Sequence, residues 1–468
     1  MLIRGAELEG GGPVDVRLEG GRIAAIGTPL ARRGMEPIVE ARGGALLPGL
    51  HDHHVHLLAL AAAEASLPCG PPSVRDEAAL AATLRRAAAD GRGWLRGVGY
   101  HESVAGPLDR ERLDAWVRER PLRIQHRSGA AWLLNGAALA ALGIADAADG
   151  AAGPSGLERD ARGRPTGRLF RADAWLRERL AGSPPDLAAV GARLASFGVT
   201  GLTDATATND AAALAHLARA VERGALPQSL RVMGEPALPA PDTPRVTRGE
   251  VKVLLDEPRL PDLDALCARV RAAHATARAV AIHCVTRTEV VFALAALREA
   301  GARPGDRLEH AAVAPPEAVA AAGALGVRVV TQPHFLRERG DAYAVDVAPE
   351  DLPWLYRARA WREAGVALGG GSDAPFGSPD PWAAMAAAVV RRSEGGVAFA
   401  ASEALTPEEA LALFTSPADA PGAPARRVAV GGVADLCLLD RPWRDARERL
   451  ASAAVAATWC AGRLAFER

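Results

Sequence analysis

Val14, Val16 and Leu18 alternate with polar positions up to Gly20-Gly21, and Ile23 and Ile26 resume the apolar pattern beyond. Alternation broken by a glycine pair predicts a β-hairpin. The far end is patterned alike: 434–440 (ADLCLLD) reads as a strand, and 455–460 and 463–466 flank the turn-like Ala461-Gly462. The expectation is that both chain ends share one small β domain. Between them, short apolar runs alternate with longer helical stretches: LTDA at 202, VKVLLD at 251, VAIHCV at 280, RLEHAAV at 307, RVVTQP at 328 and ALGGGSDAP at 367. Segments 262–276 and 289–300 carry apolar residues at helical spacing. Such alternation predicts parallel βαβ units. Adding ALLPGLHDHHVHL around 54 and SLRVMGE around 231 makes eight strands, the number that closes a (β/α)8 barrel. GWLRGVGYH at 93–101 and PLRIQHR at 121–127 fall between the first and second barrel strands. They predict, with the Gly/Pro-rich 149–167, an insertion over the barrel mouth. The expected organisation is 1–50 and 425–468 as two parts of a β-sandwich, 51–66 as the first barrel strand, 67–195 as an inserted cap and 196–424 as the rest of the barrel.

Composition narrows the function. With 468 residues, 49% hydrophobic, the chain can bury more than one core, which excludes disorder. Its 55 basic and 56 acidic residues leave a net charge of −1, with no excess to hold a phosphate backbone or an anionic membrane. Nucleic acid and membrane are therefore not expected partners. The 5 cysteines lie far apart with no C-x-x-C pair, and the first residues carry no apolar signal core, so a cytoplasmic protein is expected. One basic residue stands apart: Lys252 is the only lysine, and the other 54 are arginine. Nucleotide bias accounts for the arginines. Arginine cannot offer a deprotonatable primary amine, so the exception invites a chemical role.

His54 and His56 share one strand face, with Asp52 beside them, while His51 and His53 point to the other. Two imidazoles so placed can bind one cation together, although an isolated H-x-H is equally a surface tract. Lys252, His283, His310 and Asp373 recur singly near the ends of later strands, and in a barrel those ends converge on one mouth. Each alone has an ordinary explanation: a hydrogen-bonded histidine, a loop turn at Asp373, or an ion pair of Lys252 with Asp256 or Glu257. Together they point to one site. The Lys252 amine, carboxylated by CO2, becomes a carbamate whose two oxygens could bridge two cations.

PGLHDHHVHL, VKVLLD, AIHCV, RLEHA and LGGGSDAP, in this order, resemble the metal-dependent amidohydrolase superfamily. The closest likeness is to amidohydrolase family 3, with its N-substituted formamide deformylases and YtcJ-like proteins. GRGWLRGVGYHES, SGAAWLLNGAAL, RDARGRPTGRLFR and LTPEEALALFTSPA also match. The resemblance implies one or two divalent cations, with zinc expected. It assigns His54 and His56 to the first metal, His283 and His310 to the second, Lys252 to the bridge, and Asp373 to the first metal and the proton. The implied reaction is hydrolysis of an amide-like, non-peptide C–N bond of a small molecule by a metal-activated water.

The chain departs from the pattern at two places. Ala130 stands where relatives have histidine in S-G-H, after His126 and Arg127, and Arg171 stands in place of a glutamate. Arg127 and Arg171 are thus candidates for reading an anionic substrate, against ordinary surface arginine. Tyr100, His101, Gln332, His334 and Phe335 sit near strand ends, where they could orient substrate or simply pack. Arg307 and Glu309 are expected to form an ion pair or to support the metal ligands. Two alternatives stay open: a mononuclear deaminase using His54, His56, His283 and Asp373, and a silent scaffold. The superfamily's habit of dimerising leaves a homodimer open.

Overall fold

The computed structural model describes residues 1–71, 73–90, 93–144, 153–180 and 184–468; the 149–152 part of the Gly/Pro-rich stretch lies outside them. The chain forms two compact units, 1–57 with 186–468, and 58–185.

In the first unit, eight parallel strands follow one another in chain order: Leu50–Val55, Val199–Asp204, Ser229–Gly234, Val246–Leu254, Val280–Cys284, Arg307–His310, Arg328–Thr331 and Leu368–Gly370. Strands buried on both faces lose alternation, which is why runs such as Val280–Cys284 read as nearly continuous apolar stretches. The intervening helices have legible starts. Thr286 and Glu289 form a capping box ahead of Arg287–Ala300, and Asp210 caps Ala211–Glu222. The turn after the last strand closes the (β/α)8 barrel onto the first: Asp373 N–H donates to His54 O at 2.7 Å, and His56 N–H to Ala374 O at 2.9 Å. Only glycine permits this approach, because a Cβ at Gly371 would lie 2.5 Å from that of His54.

A two-sheet sandwich is built from both chain ends. One sheet orders Arg22–Gly27, Pro13–Glu19, Leu2–Glu7 and Ile38–Glu40; the other orders Arg463–Glu467, Val455–Cys460, Leu436–Leu439 and Leu46–Pro48. Ile3, Val16 and Ile23 from the first meet Leu46, Leu438 and Trp459 from the second in one core. The apolar run around residue 50, which reads as one strand, is divided. Leu46–Pro48 pairs with Leu436–Leu439, and after Gly49 the chain enters the barrel as Leu50–Val55.

In the 58–185 unit, a six-stranded sheet orders Leu157–Arg159, Pro165–Phe170, Ala131–Leu134, Leu122–His126, Leu95–Tyr100 and Leu67–Pro68. Leu80, Leu95, Leu113 and Ile124 help form one core, and Trp132, Leu139 and Leu169 another. No helix among the described residues is long and apolar enough to cross a membrane.

Leu438 is fully buried between the sandwich sheets. Leu438→Ala is expected to cost about 2–5 kcal/mol in chemical denaturation. A cost under about 0.5 kcal/mol, the range of surface changes, would contradict the shared core.

Candidate metal centre

The site lies where the barrel closes. His54 lies near the end of the first strand, His56 directly follows it, and Asp373 follows the last. The Asp373 Oδ1 atom is 3.4 Å from His54 Nε2 and 3.2 Å from His56 Nε2. His54, His56 and Asp373 each offer one ligand atom within a 4.8 Å group, the one such group of three or more His, Cys, Asp or Glu among the described residues. The His310 ring lies 4.8 Å from that of His54 and 4.5 Å from that of His283, centroid to centroid. His283 and His310 thus adjoin the three-residue group without joining it.

Strand alternation separates the histidines. His51 faces Thr203 Oγ1 at 2.8 Å and His53 faces Ser416 Oγ at 2.9 Å, both buried away from the site. Asp52 is structural: its carboxylate accepts from His54 N–H at 3.0 Å, Ser372 N–H at 2.9 Å and the Ser372 hydroxyl at 2.5 Å. It thereby ties the first strand to the turn carrying Asp373.

Three of the ligand-type histidines, His54, His56 and His310, have one ring nitrogen held from behind. His54 Nδ1 lies 2.5 Å from Glu309 Oε2, so its Nδ1–H is donated there and the Nε2 lone pair turns toward Asp373. His56 Nδ1 faces the Thr206 hydroxyl at 3.0 Å, and His310 Nδ1 faces Gln332 Oε1 at 2.8 Å. Glu309 is itself held: Arg307 Nε donates to its Oε1 at 2.5 Å, and Arg307 Nη2 reaches His53 O at 3.0 Å. Both side chains are fully buried. Burial alone would raise the Glu309 carboxyl, but Arg307, Lys252 and His54 hold it well below the usual range.

The charges around the site favour a cation. Against burial, the His54 and His56 contacts keep Asp373 well below its usual value, and so ionised. Burial and Lys252 depress His54, yet Glu309 and Asp373 outweigh them and raise it. Positive charge is therefore wanted between those two carboxylates. Burial and Lys252 push His283 down to about 3, and burial and His283 hold His310 well below its usual value, so both rings keep a lone pair. Lys252 is 3% exposed and its Nζ has no hydrogen-bond partner among the described residues. Burial lowers its amine, against the pull of Glu309. The donor set, two imidazoles and a carboxylate beside further imidazoles and an unpartnered amine, fits a divalent transition-metal ion.

His310 and Asp373 hold left-handed backbone, φ 68° and 51°, although neither is glycine. Such conformations cost about 1–3 kcal/mol each and persist where surrounding structure dictates them. Here the Asp373 and Ala374 bonds to the first strand do so for the carboxylate.

The other candidates are dispersed. Tyr100, His101, His126, Arg127 and Arg171 belong to the 58–185 unit. The Tyr100 hydroxyl donates to Gly106 O within that unit's core. His101 caps the short helix Glu102–Ala105, and His126 Nε2 meets Glu102 at 3.0 Å. In the barrel unit, Gln332 backs His310, His334 Nε2–H donates to Ser372 O at 2.9 Å, and Phe335 is buried beside Tyr356. Thr206 and Ser372 escaped sequence reasoning, since a lone hydroxyl residue carries no motif. Their nearness in the sequence to Asp204, which ends the second barrel strand, and to Asp373, just beyond the last, was the available signal.

The model of the amidohydrolase family matches residues 38–466. The chain is similar to the N-substituted formamide deformylase of Arthrobacter pascens, 27% identical over 97% of this chain and 95% of that protein. It is also similar to YtcJ of Bacillus subtilis strain 168, a protein carrying an amidohydrolase name, 25% identical over 81% of this chain and 80% of that one. In structure it resembles an uncharacterized metal-dependent hydrolase from Pyrococcus horikoshii, TM-score 0.73, 20% identical, covering 94% of this chain and 96% of that chain.

Removing one partner of the buried Arg307–Glu309 pair strands a charge. Arg307→Ala is expected to destabilise the fold by about 3–5 kcal/mol, and Arg307→Met with Glu309→Leu to recover much of it. A single variant within about 0.5 kcal/mol of the parent in denaturant melts would contradict a buried pair.

Proposed function

The chain belongs to the amidohydrolase family, a group of C–N hydrolases, and on that premise we propose that it hydrolyses an amide-like, non-peptide C–N bond of a small molecule at the His54–His56–Asp373 end of the barrel. Support comes from one observation above all: two imidazole nitrogens and an ionised carboxylate converge within 4.8 Å, inside a protein that holds each histidine's other nitrogen. His54, His56 and Asp373 would hold one divalent ion, most simply zinc. His283, His310 and Lys252 would hold a second, Lys252 serving both as its carbamate.

A divalent cation at this position supplies Lewis acidity, acidifying water toward neutral pH and polarising the carbonyl under attack. The rest falls to side chains. Asp373, kept ionised by His54 and His56, takes a proton from the attacking water at Oδ2, the oxygen turned toward His310. It then delivers that proton to the leaving nitrogen. Glu309 and Gln332 keep His54 and His310 in the tautomers that present Nε2. Lys252 is suited to carboxylation because burial favours its neutral amine: Nζ adds to the CO2 carbon, one C–O π bond opens to an oxyanion, and the nitrogen's proton leaves to solvent.

A second possibility rests on the fact that ligand-type residues converge in a single three-residue group among the described residues. One cation, held by that group with His283, and a deaminase reaction would then suffice, with Lys252 dispensable. Metal analysis and a substrate panel separate the two. The wild type is expected to carry about two equivalents of zinc and to hydrolyse at least one N-acyl, formamide or cyclic amide substrate. His54→Ala should lose metal and rate together, and Lys252→Arg should lose about one equivalent and at least tenfold in kcat. Full metal content and rate in Lys252→Arg would favour the deaminase, and an active metal-free protein would overturn both.

A further inference from the structure

Beside the candidate metal centre stands Arg339, a cation with no ion-pair partner among the described residues. The helix Phe335–Asp346 starts at the end of the seventh barrel strand and carries Phe335, Arg339 and Tyr343 four residues apart, on one face. The Arg339 guanidinium lies 4.2 Å over the Phe335 ring and donates an Nη2–H to the backbone carbonyl of Phe376. Phe376 closes the turn begun by Asp373, its N–H donating to Asp373 O at 2.8 Å, and its ring stands edge-on to His56 at 5.6 Å. Two contacts therefore link the guanidinium to a ligand-type histidine.

Neighbouring carboxylates are occupied elsewhere. Glu338 accepts from Ser378 N–H at 3.1 Å, and Asp341 accepts from the Ser393 hydroxyl at 2.5 Å and Gly395 N–H at 2.9 Å. No carboxylate forms an ion pair with Arg339 among the described residues, whereas Arg337, two positions earlier, faces Glu394. Aromatic residues, 4% of the chain, are concentrated here: Phe335, Tyr356, Phe399, Tyr343 and Phe376 share one cluster. A half-buried guanidinium stacked on an aromatic ring, with donors left over, is the group best suited to grip a planar carboxylate.

Resting on the hydrolase assignment above, we propose that the substrate bears a carboxylate, which Arg339 holds while the apolar part of the molecule lies against Phe376. Arg339 is then a specificity residue. It would fix the distance between the substrate's anionic end and the scissile bond at His56 and Asp373, and would reject neutral analogues.

Two measurements on the full-length, metal-loaded protein test this. Calorimetry compares benzoate with benzyl alcohol. The wild type should bind benzoate at least tenfold more tightly, Arg339→Gln should lose that preference, and Arg339→Lys should keep part of it. Arg339→Lys decides the case should Arg339→Gln fail to fold, a weakened preference supporting the proposal. A wild type without preference, or folded variants with undiminished preference, as for a benzoate held by the cation alone, would overturn it. Kinetics then compare an N-formyl amino acid with the formamide of the corresponding amine. Arg339→Gln should raise KM at least tenfold for the first and leave the second within about twofold, with kcat little changed. Equal effects on both would overturn the proposal. Should the wild type cleave neither of these nor any of the N-acyl, formamide and cyclic amide substrates named above while benzoate preference follows Arg339, the hydrolase assignment fails and the anion site stands.

Discussion

The buried chain Arg307–Glu309–His54 is the constraint on which the site depends. A carboxylate with no solvent exposure is untenable without a counter-charge, and Arg307 supplies it at 2.5 Å. Glu309, thus kept ionised, claims the Nδ1 proton of His54 and leaves one lone pair facing Asp373. The sixth strand carries both charged residues, and the first carries His54 and the His53 carbonyl that receives Arg307. An ion pair within one strand thereby sets the tautomer of a histidine on another. Hydrophobic side chains of the same volume could give a more stable core, so what the charges contribute is orientation.

Closure of the barrel does the complementary work. The bonds between His54 and Asp373 and between His56 and Ala374 join the first strand to the last turn, and Asp52 adds its grip on Ser372. Ligand-type groups from opposite ends of the sequence are brought together by the backbone bonds that complete the sheet. The site and the fold are in this sense a single structure: a barrel left open between its first and last strands would hold His54 and His56 without Asp373.

Much of this was legible along the chain. The eight barrel strands announced themselves as short apolar runs between helical ones, and a strand's two-residue period separated His54 and His56 from His51 and His53. Less legible were Leu2–Glu7, Ile38–Glu40 and Leu46–Pro48. They are short or broken in pattern, and the last is fused with a barrel strand into one apolar run that only Pro48-Gly49 interrupts. The bond from Glu309 to His54 spans 255 positions and follows from no local pattern. Nor do the placements of Thr206 and Arg339, which depend on how loops fold back over the strand ends.

The single lysine joins composition to chemistry. Among 55 basic residues, the one able to become a carbamate lies buried, with an unpartnered amine, beside His283 and His54. That singularity also makes the decisive measurement clean. In 13C NMR of zinc-loaded protein equilibrated with 13C-bicarbonate, the wild type should show, apart from any carbamate on the Met1 α-amine, one carbamate resonance that Lys252→Arg lacks. A fully metal-loaded wild type without that resonance, or one whose resonance survives in Lys252→Arg, would contradict Lys252 as the bridge between two cations.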